Sequence, residues 1–259
     1  MYGLSAMYSI FLWRHGFQRD NRVNYVLLLT GFLLHTAAMV LRGFSFSRCP
    51  INNLYEATTF IGWTMVAVYL VVGVWSRLRF LGAFSSPVLF AIGVFALMPA
   101  LDTPDAKSTA NPALRSLHAT LILLACGAFG LSAVSSLMFL TQDHNLKYNK
   151  VQAFASLLPP VQRLEKAVTL LLVVASVLLS AGLLMGVLVW RQASPAPPAR
   201  RDPFVEWSFL LWFFYGALCV AYWRRWLRGR RLAWGVLGGF LFLMATFWGF
   251  YLLSPVHRH

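Results

Sequence analysis

Charge is what this sequence is shortest of. Only 12% of its 259 residues are Asp, Glu, Lys or Arg, against about 25% in soluble domains. That is too little to keep the surface of a water-soluble globule of this size wet, and a soluble enzyme is excluded. Acids are scarcer still, with 8 Asp+Glu against 22 Lys+Arg and a net charge of +14. The three cysteines, Cys49, Cys126 and Cys219, form no CxxC pair and no metal spacing, so a disulfide-stapled secreted domain is excluded as well. Cys126 and Cys219 sit inside apolar segments and read as small buried hydrophobes. No internal repeat is visible. No basic stretch precedes the first apolar segment and no small-residue cleavage site follows it, so no cleavable signal is expected.

What fills the space left by charge is apolar. Hydrophobic residues make up 59% of the chain and aromatics 15%, which excludes a disordered chain. They come in blocks of about 17 to 23 residues, the length needed to cross hydrocarbon, and not in amphipathic stripes. Eight candidate spans follow: Met1–Trp13, Val23–Leu41, Leu54–Trp75, Phe80–Leu97, Leu117–Leu140, Ala167–Trp190, Trp207–Trp223 and Leu232–Leu253. All are expected to be helical, because an open sheet edge cannot be satisfied in lipid. The first falls short of the ~20 residues a crossing needs, so a truncated or partly inserted helix is expected there. The fold class is therefore an all-α polytopic membrane bundle of about eight transmembrane helices, with residues 1–259 forming one integral membrane domain.

The distribution of basic residues orients the bundle. The connections after spans 1, 3, 5 and 7 hold Arg14, Arg19, Arg22; Arg77, Arg79; Lys147, Lys150, Arg163, Lys166; and Arg224, Arg225, Arg228, Arg230, Arg231. The alternate connections and the tail hold fewer. Short basic loops stay on the cytoplasmic side, so both termini are expected outside and Arg224–Arg231 inside. On a soluble protein this surplus would point to nucleic acid. Here topology and contact with anionic membrane lipids explain it without nucleic acid.

Of the six histidines, His15 and His144 fall in predicted inner loops and read as solvated. His35 lies in the outer half of span 2, with Arg42 seven residues on and so on the same helix face. An ionisable group at that depth has a partner or faces a cavity, which leaves a structural hydrogen bond and a ligand role open. His118 opens span 5 and His257 follows span 8, both on the expected outer side. Each alone is an ordinary interfacial histidine; as a pair they share the face that a bis-histidine haem site would use. Outer arginines and the aromatic clusters of spans 7 and 8 match the needs of a haem's propionates and ring. Aromatics also collect at membrane interfaces regardless of function. Glu56 reads as a helix N-terminal anion or as a partner for His35 or Arg42. Gly182 and Gly186 form a small-xxx-small pair, read as helix packing. Cys49-Pro50 is too short a signal to support a thiolate ligand.

Several segments, in order, resemble the cytochrome c assembly protein family (the CcsA/ResC type and its shorter HemX-like members). Pro50-Ile51-Asn52-Asn53-Leu54-Tyr55-Glu56, followed by Phe60 and Trp63, is similar to the family's FPLSNLYES…FLSW. Pro112-Ala113-Leu114-Arg115-Ser116, then His118, resembles its PALQS…H. Asp202-Pro203, Trp207-Ser208, Trp212 and Tyr215 resemble the end of its Trp-rich haem-binding segment, and His257 falls where the family places its last external histidine.

The resemblance implies a multi-pass protein of the bacterial inner (cytoplasmic) membrane that binds haem b transiently at the outer face. It would present that haem to apocytochrome c or to a synthase partner such as a ResB-like subunit. By the same resemblance His118 and His257 are the axial iron ligands, Asp202 and Trp207 belong to the haem platform, and Arg115, Arg42 and His35 lie beside it. The sequence also departs from the pattern. Arg201 stands where the family has Trp, Val205-Glu206 replaces Glu-Thr, and Val220 lies near the position of a further membrane histidine. These departures, and His35 with Arg42, are closer to the HemX-like members, so the alternative is a regulatory or scaffold protein that delivers no haem. No nucleophile-base arrangement, phosphate loop or metal cluster is present, and a haem chaperone or synthase subunit without its own catalytic nucleophile is expected. A transporter is disfavoured by the absence of repeats and broken helix pairs.

Overall fold

A computed structural model describes residues 1–14, 22–46, 53–74, 79, 81–98, 112–148, 160–192 and 203–253. Among them the chain forms eight helices: α1 (Tyr2–Arg14), α2 (Arg22–Phe46), α3 (Leu54–Gly73), α4 (Leu81–Ala96), α5 (Pro112–Tyr148), α6 (Val161–Gln192), α7 (Pro203–Trp223) and α8 (Arg230–Leu253). They coincide with the eight expected spans. Their starts are set by local chemistry. Pro112 and Pro203 occupy first helical positions, where the missing N–H costs nothing. The Asn53 side chain accepts the Glu56 N–H and caps α3. Five of the helices are long and apolar enough to cross a membrane, whereas α1 and α4 are shorter apolar helices. This is an all-helical integral membrane bundle.

α5 and α6 run beyond the apolar cores seen in the sequence, to 37 and 32 residues. Hydropathy marks only the lipid-facing length. The polar flank Thr141–Tyr148 contains neither Pro nor Gly, so the helix continues through it.

α5 is the axis of the bundle. The most apolar 18-residue stretch within Ala113–His144 is 78% buried, against 17% for that within Arg22–Ser45 of α2 and 22% for those within Val161–Arg191 and Val205–Trp223. α5 packs most extensively on α6, and also on α8, α3 and α4. Lipid-facing positions on the outer helices carry exposed Leu33, Leu41, Val177, Leu184 and Phe213.

Buried polar side chains join the helices, as is usual where lipid offers no hydrophobic drive between them. Ser5 Oγ donates to Asn24 Oδ1 (2.5 Å), Asn24 Nδ2 to Ser86 Oγ (3.4 Å), and Ser86 Oγ to the Gly82 carbonyl (2.5 Å), tying α1, α2 and α4 together. Trp63 Nε1 donates to Thr36 Oγ1 at 2.8 Å and its ring stacks on Phe32, joining α3 to α2. Ser132 Oγ donates to the Val168 carbonyl across α5–α6. Trp212 Nε1 donates to Ser180 Oγ across α7–α6. Two ends result. One, called the site end below, carries the start of α3, α5 and α7. The other, the basic end, carries the α7–α8 turn.

Candidate functional site

α7 packs against α6 and α8 but meets α5 mainly through one ring pair. Phe129 and Tyr215 stack at 3.7 Å between centroids and 14° between planes. Two large rings face to face hold the helix backbones apart, and the space above them, toward the site end, stays open. It is a cavity of about 210 Å³ lined by Ala57 of α3, by His118, Ala119, Ile122, Leu123, Cys126 and Phe129 of α5, by Leu179 of α6, by Trp207, Ser208 and Leu211 of α7, and by Leu243 and Phe247 of α8. Phe129, stacked on Tyr215, is its floor. The Tyr215 hydroxyl is buried and has no hydrogen-bond partner among the described residues.

Among the described lining residues, His118 supplies the one imidazole. Its Nδ1 lies 2.7 Å from the Gly182 carbonyl oxygen. A carbonyl only accepts, so Nδ1 carries the proton, and in the neutral ring Nε2 is the nitrogen with the lone pair. The ring sits tight on α6. A Cβ built on Gly186 would lie 2.8 Å from His118 Cε1, and one on Gly182 would lie 2.6 Å from Ile122 Cδ1. The pair read from the sequence as helix packing therefore does a second thing: it makes room for the imidazole and orients it.

Trp207 is buried on the opposite wall. Its Nε1 donates to Thr246 Oγ1 at 2.8 Å, and its ring leans on Phe247 at 6.2 Å. Both contacts lock α7 to α8 at the mouth of the cavity. Arg115, half-buried, lies in the first turn of α5, three residues before His118.

The other expected site residues lie elsewhere. His35 sits on α2, its Nδ1 3.1 Å from the Tyr2 hydroxyl and its ring edge-on to that of Tyr2; α2 contributes nothing to the cavity lining. Arg42 Nε donates to Glu56 Oε1 at 2.8 Å, and its guanidinium lies 4.8 Å over the Tyr55 ring. Of the partners open to Glu56, Arg42 is the one it holds. Glu56 is only 1% exposed and Arg42 23%, so losing Arg42 would weaken the pairing of a buried carboxylate. The next residue, Ala57, is on the cavity wall. Asp202 and His257 lie outside the described residues.

The comparisons with known proteins bear on this arrangement. Residues 51–257 match the model of the cytochrome C assembly protein family. The chain belongs to that family. It is 32% identical over 162 residues to the cytochrome c biogenesis protein CcsA of Synechococcus sp. (strain JA-2-3B'a(2-13)), covering 60% of this chain and 44% of the relative. It is 25% identical to Protein HemX of Bacillus subtilis (strain 168) over 259 residues, covering 99% of the chain and 94% of HemX. It is also 25% identical to CcsA of Microcystis aeruginosa (strain NIES-843 / IAM M-2473) over 253 residues, covering 79% and 77%. The chain thus spans less than half of the Synechococcus relative and nearly all of HemX.

Sequence reasoning found His118, Trp207 and the small pair on α6. It missed the cavity floor, since Phe129 and Tyr215 are two aromatics among many. It also left Cys126 as a plain core residue, although it lines the cavity. The retrievable signal was the pairing of an intramembrane histidine with two glycines one turn apart on the next helix.

Proposed function

We propose that this protein handles haem in cytochrome c maturation, binding haem b transiently in the α5–α7–α8 cavity and presenting it outside the bacterial inner membrane. The observation that carries the reading is His118, whose Nδ1–H is engaged by the Gly182 carbonyl and whose Nε2 is left to act, on the wall of an apolar, aromatic cavity. Imidazole held by a hydrogen bond at its other nitrogen is the usual form of an axial iron ligand. The lining suits a flat apolar macrocycle, with Trp207, Phe247 and Phe129 as its walls and floor. At about 210 Å³ the space is smaller than the ~300–1,000 Å³ of sites that enclose a drug-sized ligand. It therefore admits one edge of a tetrapyrrole, and deeper seating requires α7 and α8 to part from α5. A partly seated ring suits a carrier that must release its cargo.

In this reading His118 holds the iron and Trp207 braces the mouth. Arg115, three residues from His118, meets a propionate at the rim. His257 supplies the second axial nitrogen and Asp202 extends the platform. Arg42, fixed by Glu56, orders the rim on the α3 side, and His35 joins α2 to α1 there. Apocytochrome c and a ResB-like subunit are the partners, and the thiols that react with haem belong to the apocytochrome. The detergent-purified protein is expected to show a six-coordinate low-spin haem spectrum, weakened by His118→Ala and by His257→Ala. Correctly inserted protein that takes up no haem on reconstitution would overturn the reading.

A second reading is favoured by the end-to-end match to HemX: a regulatory or scaffold membrane protein that delivers no haem. Gene deletion separates the two. Loss of c-type cytochromes supports delivery; normal c-type cytochromes with altered levels of haem-synthesis enzymes support the scaffold.

A further inference from the structure

The basic end holds a second concavity, remote from the cavity above. It has a volume of about 420 Å³ and is lined by Gln162, Glu165 and Lys166 of α6, Tyr222 of α7, and Arg228 and Gly229 of the α7–α8 turn. The turn is ordered by its own backbone. Arg224 N–H donates to the Val220 carbonyl, Arg225 N–H to Tyr222, and the N–H groups of Trp226 and Leu227 both to Ala221. Arg225 takes a left-handed conformation (φ 64°) and Gly229 another (φ 55°). That conformation is one glycine adopts freely and arginine does not, so the turn has a defined shape. Glu165 Oε1 accepts the Gly229 N–H at 3.0 Å, pinning the turn to α6. Arg228 lies 5.8 Å over the Tyr222 ring, which fixes its guanidinium at the rim of the concavity.

Around this fixed shape Arg163, Lys166, Arg224, Arg225, Arg228, Arg230 and Arg231 are all exposed, and none is ion-paired with another described residue. The one acid among the described lining residues, Glu165, is turned toward the backbone through its bond from the Gly229 N–H. Orienting a bundle needs positive charge in a loop; it does not need that charge gathered about a preformed hollow. Trp223, the last residue of α7, and Trp226 of the turn are 81% and 74% exposed. Large exposed indoles at the end of membrane helices lie at headgroup level. A ligand there is therefore anionic, has acceptor oxygens for a guanidinium fork and an ammonium, and resides in the interface.

We propose that the hollow between the start of α6 and the α7–α8 turn binds the phosphate headgroup of an anionic phospholipid. Lys166 and Arg228 are its direct contacts, Gln162 and Tyr222 are supporting donors, and Trp223 and Trp226 hold the turn at the depth of the headgroups. The proposal does not depend on haem binding at the opposite end.

The test compares thermal unfolding of the full-length protein in phosphatidylcholine nanodiscs with and without phosphatidylglycerol, and native mass spectrometry of retained lipid. Wild type is expected to melt several degrees higher with phosphatidylglycerol and to retain that lipid. The double variant Lys166→Gln, Arg228→Gln is expected to lose both effects, and each single variant to lose part. Arg191→Gln, at the other end of α6, is expected to keep them. Four results would overturn the proposal: no shift in wild type, a shift retained in the double variant, equal loss in Arg191→Gln (diffuse surface charge), or the full shift reproduced by inorganic phosphate in phosphatidylcholine (a free-anion site). If the double variant does not fold, Arg228→Gln alone serves: partial loss of the shift and of the retained lipid supports the proposal, and the full wild-type shift retained overturns it.

Discussion

The α1–α4 half and the α5–α8 half are built from the same materials, apolar helices joined by a few buried polar side chains, yet they use them differently. In the first half the buried polar groups close on one another. Ser5, Asn24 and Ser86 pass one hydrogen bond to the next, ending at the Gly82 carbonyl; His35 meets Tyr2; Arg42 meets Glu56. In the second half His118 uses one nitrogen on Gly182 and keeps the other, and the Tyr215 hydroxyl is buried with no partner among the described residues. Packing differs in the same sense. α1–α4 are drawn together by small polar residues, whereas the Phe129–Tyr215 stack keeps α7 off α5. A polar group that is satisfied in a membrane bundle holds helices together. One left over beside a space is set for a ligand.

Substitution at the two histidines breaks this contrast most sharply. His118→Ala is expected to weaken the low-spin haem spectrum and, through the lost bond to Gly182, to lower stability by about 1 kcal/mol as well. His35→Ala is expected to leave the spectrum intact and to lower stability by about 1 kcal/mol, the typical worth of one interhelical hydrogen bond in a membrane. Absorption spectra and thermal melts of the two variants, run side by side, measure both effects. A haem spectrum that responds to His35 and not to His118 would reverse the assignment.

Next in size is the glycine seat. Gly186→Ala places a methyl 2.8 Å from His118 Cε1 and forces the ring to move, so haem affinity is expected to fall about 10–100-fold, as for other groups that orient a metal ligand. Gly31→Ala is the matching change in the other half, since its methyl would meet Tyr2 Cε1 at 2.8 Å. It is expected to lower the melting temperature and spare haem binding. Haem titrations of both variants check the pair.

Asn24→Ala opens the closed network between α1, α2 and α4. It leaves Ser5 and Ser86 buried with a lost partner, at a cost of about 1–3 kcal/mol, measurable by denaturant unfolding, with the haem spectrum unchanged. The smallest effect is expected at Tyr215. Tyr215→Phe removes a hydroxyl with no partner, so stability should stay the same or rise by up to ~1 kcal/mol. A loss of stability instead would mean that the hydroxyl has a partner, such as a water molecule, in the folded protein.

Most of the fold was legible from the sequence because lipid imposes a coarse rule. Runs such as Leu54–Trp75 and Trp207–Trp223 are apolar on every side, and only helices satisfy their backbones. The ends of α5 and α6 were not legible, because hydropathy is silent about a polar segment like Thr141–Tyr148 that goes on being helical outside the membrane. Of the site, His118 stood out only beside His257 on the expected outer face and, like Trp207, through its place in a resembling segment. The tautomer of His118 did not, because it is set by a carbonyl 64 positions away and carbonyls leave no mark in a sequence. The roles of His35 and Arg42 stayed open for a related reason. Both sit on one face of α2, but Tyr2, Glu56 and Tyr55, which engage them, come from other helices. The cavity floor depended on a choice among 21 Phe and 9 Tyr that only three-dimensional packing makes.

The central claim is that Nε2 of His118 is the atom left free to bind haem iron. His118→Gly removes the imidazole and leaves room for one in its place. The absorption spectrum of this variant, reconstituted with haem, should lose the low-spin signature and regain it when free imidazole is added. A His118→Gly protein that keeps the wild-type spectrum without imidazole would contradict the account.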